Sequence, residues 1–204
     1  MISETEGSRQ VMATNPAPVR LSARERLLAA ASELFYEQGV QNVGIDRVIE
    51  RAGVAKASLY NTYGSKDELV KAYLEARHAR MTARIAAAIE RAETPRARLL
   101  AVFEAQGELF SQPDFNGCAF IGAASGAPRD VTVEHVADAY RAWVRALLTE
   151  LAGQAGAPEP AELARQLHLL YDGAAVTAKM DRDPAAATFS RAAAEALLDA
   201  ALAD

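Results

Sequence analysis

The residues with the clearest chemical possibilities lie in one short stretch, residues 56–63 (KASLYNTY). Leu59 and Tyr63 are four residues apart, so on a helix both would face the protein interior. The other positions carry an ammonium group, hydroxyls, an amide and a phenol, which form hydrogen bonds. A short helix with such groups on its outer face fits a DNA major groove, where base edges present donors and acceptors. The stretch therefore predicts a DNA-recognition helix.

Catalytic chemistry has no comparable support. The histidines, His78, His135 and His168, are far apart in the sequence and form no HExxH motif, and Cys118 has no partner cysteine. No GxGxxG motif, Walker lysine loop or GxSxG elbow is present. The sequence predicts no catalytic residues, no metal site and no cofactor.

The elements that would position residues 56–63 precede it directly. Apolar residues at Ile45, Val48, Ile49 and Ala52 have the spacing of one buried helical face. Gly53 can take the left-handed conformation that ends such a helix, and Val54 anchors the turn that follows. The pattern predicts a helix-turn-helix from Gly44 onward.

This segment resembles the DNA-binding region of the TetR (tetracycline-repressor) family of one-component bacterial regulators. The matching residues, all in register, are Gly39, Asp46, Val48, Ala52, Gly53, Val54, Lys56, Ser58, Leu59, Tyr60, Tyr63 and residues 65–69 (SKDEL). The motif spans roughly residues 21 to 75, and the rest of the chain resembles the family only in length and helical character.

The resemblance implies a role for each matching surface position. Lys56, Ala57 and Ser58 are expected to approach base edges. The residues expected to contact phosphates or flanking bases are Tyr60, Asn61, Thr62 and Lys66, with Gly44 and Arg47 on the preceding helix. For Arg47 and Arg51, an exposed helix face without DNA contact is an open alternative.

Two positions depart from the family pattern. Gly44 and Ala55 stand where a threonine or serine is common at a helix start, so neither supplies a hydroxyl cap. Any phosphate contact at Gly44 would come from backbone N–H groups at the positive end of the helix dipole.

The charge distribution agrees with a DNA-binding head. The chain of 204 residues has a net charge of −5, but residues 20–66 carry seven cations and five anions, a net charge of +2. Residues 67–204 carry −6. A mildly basic head on an acidic body would orient the head toward phosphate, whereas indiscriminate DNA coating needs many more cations.

The predicted fold class is all-α, with about nine helices. The predicted parts are a disordered N-terminal arm (1–20), a three-helix helix-turn-helix DNA-binding domain (21–66) and a helical effector-binding and dimerisation domain (67–204). Capping boxes at Ser22 and Ser65 start the first helix and a long connecting helix that extends toward Glu90. His78 is expected to be exposed on that helix, and Asp183-Pro184 is expected to begin the last one.

An apolar cavity for a small-molecule effector is expected among the middle helices, where the family binds its effectors. The candidate lining residues are Phe103, Phe110, Cys118, Phe120, Tyr140, Trp143, His168 and Tyr171. Ordinary core packing is the alternative for each aromatic residue taken singly.

The last two helices are expected to form the homodimer interface, because in the family they pair with those of a second subunit as a four-helix bundle. The candidate interface residues are Leu163, Leu167, Leu170, Ala174, Phe189, Ala193 and Leu197. Packing within the chain's own domain is the alternative.

Together these features predict a cytoplasmic transcriptional regulator that binds a palindromic double-stranded operator as a homodimer. We expect it to be a repressor released by a small-molecule effector, with no membrane association. The alternative is a helical small-molecule- or protein-binding dimer whose helix-turn-helix no longer binds DNA specifically.

Overall fold

The computed structural model describes residues 21–125 and 131–203, and within these ranges the chain forms nine α-helices and no β-strand. In chain order the helices are α1 (Ala23–Gln38), α2 (Ile45–Ala52), α3 (Lys56–Tyr63), α4 (Lys66–Glu90), α5 (Pro95–Phe110), α6 (Ala119–Ser125), α7 (Val131–Gln154), α8 (Pro160–Asp181) and α9 (Ala186–Ala203). The predicted all-α fold of about nine helices is confirmed. The predicted disordered arm, residues 1–20, lies outside the described residues.

Local sequence signals begin and end the helices of the N-terminal domain. Ser22 Oγ accepts a hydrogen bond from the Glu25 backbone N–H at 3.2 Å, and the Glu25 carboxylate accepts one from the Ser22 N–H at 2.7 Å. This is the predicted capping box, which satisfies two N–H groups that have no partner within the helix. Gly53 ends α2 with φ at 62°, in the left-handed region that favours glycine.

The start of the last helix differs from the sequence prediction. The Asp183 carboxylate accepts a hydrogen bond from the Ala185 N–H at 2.8 Å, yet α9 begins at Ala186. The intervening residues form short-range turns, with the Ala187 N–H donating to the Pro184 carbonyl at 3.2 Å. The expected cap bond therefore closes a turn, and the helix starts after that turn.

The long helix α4 belongs to two packed regions. The N-terminal helices α1 to α3 enclose Leu27, Val48 and Leu59, each with 0 % of its surface exposed. Leu69 and Tyr73 of α4 are buried in the same core, and α4 then packs on α5 and α7 further along. A movement of α4 relative to the body therefore moves the helix-turn-helix domain with it.

The C-terminal body is arranged around α5, which contacts α4, α7, α8 and α9. Phe103 lies fully buried at its centre. Helix α8 lies between α7 and α9, so one of its faces is covered within the chain.

Candidate DNA-binding surface and ligand cavity

The inner face of α3 is held against the core. Leu59 is fully buried and Tyr63 nearly so, as predicted from their spacing. The Tyr63 hydroxyl donates to the Arg24 carbonyl at 3.1 Å, and the Arg24 guanidinium lies 5.0 Å from the Tyr63 ring centroid. These contacts with α1 fix the rotation of α3 and so determine which of its side chains point outward.

The outer face of α3 carries the residues predicted for DNA contact. Lys56, Ala57, Tyr60 and Asn61 are exposed, with 45 % of Tyr60 accessible. The half-buried members of the predicted set are Ser58, Thr62 and Lys66, and Gly44 and Arg47 are exposed at the start of α2. The structure thus brings the predicted residues to the outer side of one small domain.

Two cations of this domain are engaged within the protein. Lys56 Nζ lies 3.0 Å from Asp46 Oδ1, and this hydrogen-bonded carboxylate raises the pKa of Lys56. Arg51 Nη2 donates to both carboxylate oxygens of Glu33 at 2.8 Å, and these hydrogen bonds raise the pKa of Arg51. Arg51 therefore joins α2 to α1, while Arg47 forms no ion pair within the described residues.

The first turns of α2 and α3 have N–H groups without side-chain caps. Gly44 and Ala55 both adopt extended backbone conformations at the N-cap position, and neither makes a side-chain cap bond. Both cap residues are exposed, and the first-turn N–H groups lie at the positive ends of two helix dipoles, where phosphate groups bind favourably.

A cavity of about 150 Å³ lies in the body between α4, α5, α6, α7 and α8. Of the predicted ligand residues, those that line it are Phe110, Cys118, Phe120, Tyr140 and Tyr171. Phe103, Trp143 and His168 are not in its wall. Phe103 packs edge-on against Tyr171 with centroids 6.4 Å apart, and His168 is buried with Nε2 3.6 Å from Asp172.

The cavity wall also contains polar residues that the sequence analysis did not identify. They are Tyr36, Arg77, Arg80, Arg84, Gln106, Gln112, Asp114 and Asp172. The three arginines occur at i, i+3 and i+7 on α4, so they share one face of that helix. That periodicity was the available signal for them.

Hydrogen bonds organise the inner end of the cavity. The hydroxyls of Tyr140 and Tyr171 lie 2.9 Å apart, and Gln106 Nε2 donates to the Tyr171 carbonyl at 2.8 Å. Gln106 is 2 % exposed, and its Oε1 has no hydrogen-bond partner within the described residues. Burial raises the pKa of the Cys118 thiol, so this cysteine is a poor nucleophile.

The expectation that His78 is exposed was wrong. Its ring is half-buried and packs edge-on against Phe120, Tyr140 and Trp143, with centroids 5.2 to 6.5 Å apart. Burial lowers the pKa of His78. The charged neighbours in the sequence lie on other faces of α4, which hid this apolar contact.

One contact joins the helix-turn-helix domain to the loop beside the cavity, and we call it the Tyr36–Asn116 contact. The Tyr36 hydroxyl accepts from the Asn116 N–H at 2.8 Å and donates to the Gly117 carbonyl at 3.0 Å. Asn116 Nδ2 donates to the Tyr36 carbonyl at 2.7 Å. The Arg77 guanidinium lies 3.7 Å from the Tyr36 ring centroid. Both Tyr36 and Arg77 line the cavity, so its wall reaches α1 directly.

The predicted dimer residues divide between two faces of the last helices. Leu163, Leu167 and Ala174 are buried in the chain's own core, with 4 %, 0 % and 5 % exposure, so this part of the interface prediction is corrected. Those left partly or largely accessible are Leu170, Ala193, Leu197 and Phe189.

The opposite face of the two helices is apolar and open. It consists of Leu169, Val176 and Met180 on α8 and Phe189, Ala192, Ala196 and Ala200 on α9, and we call it the α8–α9 surface. Leu169, Met180 and Phe189 are 74 %, 76 % and 71 % exposed. Large exposed side chains grouped in this way are typical of an interaction site.

Membrane-spanning helices and metal-binding clusters are both absent from the described ranges. No helix there is both long enough and apolar enough to cross a bilayer. Nor do those residues bring together three or more side chains that could hold a metal ion.

Comparison with known proteins gives consistent results over the motif and over the whole fold. Residues 27–73 match the family described as bacterial regulatory proteins, tetR family. SCO4454, a TetR-family transcriptional regulator from Streptomyces coelicolor, is 31% identical, with a TM-score of 0.82 over 88% of this chain and 95% of that one. The TetR-type protein sav143 from Streptomyces avermitilis MA-4680 is 36% identical, with a TM-score of 0.77 over 89% of this chain and 98% of that one.

A curated relative matches a shorter stretch. The HTH-type transcriptional activator FasR from Mycolicibacterium smegmatis is 35% identical over 106 residues, which cover 50% of this chain and 48% of that protein. The match thus spans about half the length of this relative.

Proposed function

The chain belongs to the TetR family of bacterial transcriptional regulators, and from this premise we propose that it binds a palindromic operator as a homodimer and responds to a small-molecule effector. Such a regulator acts on DNA in the bacterial cytoplasm and needs no catalytic group or cofactor. The observation that carries the proposal is the outward face of α3, where Lys56, Ala57, Tyr60 and Asn61 are exposed above a fully buried Leu59.

The DNA-binding residues divide by chemistry. Lys56 and Ser58 supply donors for base edges, once Lys56 exchanges its pair with Asp46 for the DNA. Tyr60, Asn61 and Lys66, with the free N–H groups after Gly44, supply phosphate contacts that fix orientation. Arg51 is engaged with Glu33, so we propose no DNA contact for it.

The α8–α9 surface is the proposed dimer interface. Its exposed side chains, Leu169, Met180 and Phe189, would be buried against the same residues of a second subunit in a four-helix bundle. The alanines on the α9 side allow close approach of the two helix pairs. A twofold dimer would present its two copies of α3 to successive half-sites of a palindrome.

The cavity is the proposed effector site. Arg77, Arg80 and Arg84 line it from α4, the helix whose first turns are packed into the helix-turn-helix domain. The Tyr36–Asn116 contact gives a second connection, because it joins the cavity loop to the end of α1. An effector that displaces either element would change the separation of the two recognition helices.

Selection of bound duplexes from a random DNA pool, at about physiological salt, tests this function. Recovery of a palindrome with half-sites about one helical turn or slightly more apart is the expected result. A Tyr60→Ala protein, tested beside a Leu21→Ala control, should lose the selected sequence while the control keeps it, since Leu21 is exposed but lies before α1.

Recovery of no motif, from protein that is folded and dimeric, would contradict the proposal. It would favour the alternative, a helical ligand- or protein-binding dimer whose helix-turn-helix no longer binds DNA specifically. The departures at Gly44 and Ala55 are the features that this alternative would explain.

We propose that the regulator is a repressor. The relative FasR is named an activator, so the sign needs its own measurement. Transcription in vitro from a promoter carrying the selected operator should fall when the protein is added, and a rise would make it an activator.

A further inference from the structure

We infer that the cavity between α4 and α8 binds a small organic carboxylate with an apolar body about the size of one ring. Such a ligand would be the effector of the regulator, and this consequence rests on the proposed function. The binding itself is inferred from the residues of the cavity.

The cavity has the size of a small ligand. The cavity measures about 150 Å³. An apolar cavity of roughly this volume, about 150 Å³ in a well-studied engineered case, accepts benzene. The site therefore has room for one aromatic ring or an equally short aliphatic chain.

Aromatic and aliphatic side chains form one part of the cavity wall. Phe110 and Phe115 lie with ring centroids 4.8 Å apart, and Phe120 is stacked on Tyr140 at 4.0 Å. All four residues line the cavity, as do Met81 and Leu109. Such walls favour a flat apolar group over a fully polar ion such as phosphate.

The α4 side of the cavity wall carries positive charge. Arg77, Arg80 and Arg84 line the cavity together with two carboxylates, Asp114 and Asp172. Asp172 is already paired with Arg141. Arg84 pairs with Glu108 at 3.7 Å.

Arg77 and Arg80 thus remain without a carboxylate in ion-pairing distance in the described ranges. Arg80 is exposed at the edge of the cavity, but the protein around it still removes part of its hydration. This desolvation, and then the neighbouring charge of Arg77, lowers the pKa of Arg80, while Tyr73 and Asp114 act in the opposite direction. Two guanidinium groups that repel each other beside an apolar cavity are stabilised when an anion binds between them.

Two residues of the cavity wall have a buried polar atom without a hydrogen-bond partner in the described ranges. Arg77 Nε is buried without a hydrogen-bond acceptor in the described chain, while stacking on Tyr36 holds its guanidinium plane in place. Gln106, another residue of the cavity wall, has a buried Oε1 without a hydrogen-bond partner in the described ranges, while Nε2 of the same amide donates to the Tyr171 carbonyl. Both atoms are covered by protein in this structure, so a ligand would satisfy them only with a side-chain rotation. After such a rotation a carboxylate would supply the acceptor for Arg77, and a hydroxyl on the ring would supply the donor for Gln106.

Calorimetric titration of the full-length protein, without DNA, tests the inference with three probes of one size. Benzoate and 4-hydroxybenzoate carry the carboxylate, and benzyl alcohol is the neutral counterpart. We expect both carboxylates to bind at least about tenfold more tightly than benzyl alcohol, because a hydrogen bond to a charged group contributes more than a neutral one.

Two variants and one control locate the binding. Arg80→Gln and Arg77→Gln should each weaken benzoate binding by about tenfold or more. Arg91→Gln is the matched control, because it is the same substitution at the exposed C-terminal end of α4. Arg91 does not line the cavity and pairs with Glu108 at 3.0 Å. Thermal melts identify a variant that does not fold, and Arg80→Gln, which leaves the Tyr36 stack intact, keeps the test open if Arg77→Gln unfolds.

Three results would overturn the inference. These are equal or tighter binding of benzyl alcohol, no detectable binding of either carboxylate, and unchanged benzoate affinity in folded Arg80→Gln protein. Because the titrations contain no DNA, failure of the operator selection would remove the regulator proposal without touching this result. Conversely, a protein that binds its operator but binds no carboxylate would keep the regulator proposal and remove the carboxylate inference.

Discussion

Phe189 and Met180 provide a quantitative test of the dimer interface. Both side chains lie on the α8–α9 surface, and they are 71 % and 76 % exposed in the single chain. Complete burial of a phenylalanine or methionine side chain is worth about 1.5–3 kcal/mol. With about three quarters of each side chain still to be buried, dimerisation would gain about 1–2 kcal/mol per residue.

Twofold symmetry doubles this effect. Each substitution acts once in each subunit, so Phe189→Ala or Met180→Ala should weaken the dimer by about 2–4 kcal/mol. That corresponds to a rise of about 30- to 1,000-fold in the dimer dissociation constant. The stability of the isolated subunit should change little, because neither side chain belongs to the buried core.

Sedimentation equilibrium over a dilution series measures the dissociation constant directly. Leu21→Ala is the matched control, since Leu21 is also an exposed apolar residue, at 55 %, but lies at the N-terminal edge of the helix-turn-helix domain and not on the α8–α9 surface. Leu167→Ala gives the opposite contrast. Leu167 is fully buried, so its truncation should cost about 2–5 kcal/mol of subunit stability.

Unchanged dissociation constants for both Phe189→Ala and Met180→Ala would refute this reasoning. Loss of dimers in Leu167→Ala at temperatures where the subunit stays folded would also refute it. The interface would then have to use the face assigned here to the core.

Three further predictions concern DNA contact, coupling and pH. Tyr60→Ala should weaken operator binding by about tenfold or more with an unchanged helical circular dichroism signal, because Tyr60 is 45 % exposed; undiminished affinity would remove Tyr60 from the interface. Asn116→Ala should cost about 1 kcal/mol of stability and keep benzoate affinity while reducing the effect of benzoate on operator affinity, since it removes the side-chain bond to the Tyr36 carbonyl; retained coupling in a combined gel-shift and calorimetric assay would contradict this. Burial lowers the pKa of His78 and His168 below the usual 6.5, so the unfolded state binds more protons and the free energy of unfolding should fall as pH drops below about 6.5. The free energy of unfolding, measured by urea denaturation between about pH 5 and 6.5, should therefore change less with pH in His78→Gln and His168→Gln proteins than in the unaltered one. An equal pH dependence would exclude these histidines as the cause.

The helices themselves were predictable because their signals are local. A capping box needs only Ser22 and Glu25, three residues apart, and the end of α2 needs only a glycine at position 53. The predicted start of α9 at Asp183 was wrong because its signal is also local. A cap bond to Ala185 is compatible with either a helix or a short turn, and the sequence does not distinguish them.

The orientation of α8 was not predictable, since both of its faces carry large apolar side chains. Leu163 and Leu167 lie on one face, and Leu169 and Met180 lie on the other. Periodicity identifies each face but does not say which one a neighbouring helix covers. Packing against α7 and α9 buries Leu167 and leaves Leu169 exposed.

Side-chain contacts between different helices were also not predictable from the sequence. Lys56 was predicted as a DNA ligand, but its ion pair with Asp46 depends on the angle between α2 and α3. His78 was expected to be exposed because its neighbours are charged, yet the aromatic rings that cover it come from α6 and α7.

The sequence by itself determined the helices, the helix-turn-helix and the residues on the outer face of α3, because these depend on neighbours a few positions apart and on a motif in one continuous stretch. The tertiary structure decided the arginine-lined cavity, the Tyr36–Asn116 contact and the α8–α9 surface. Each of these is formed by residues from different elements of the chain, and only the packing of those elements sets which atoms meet and which remain exposed.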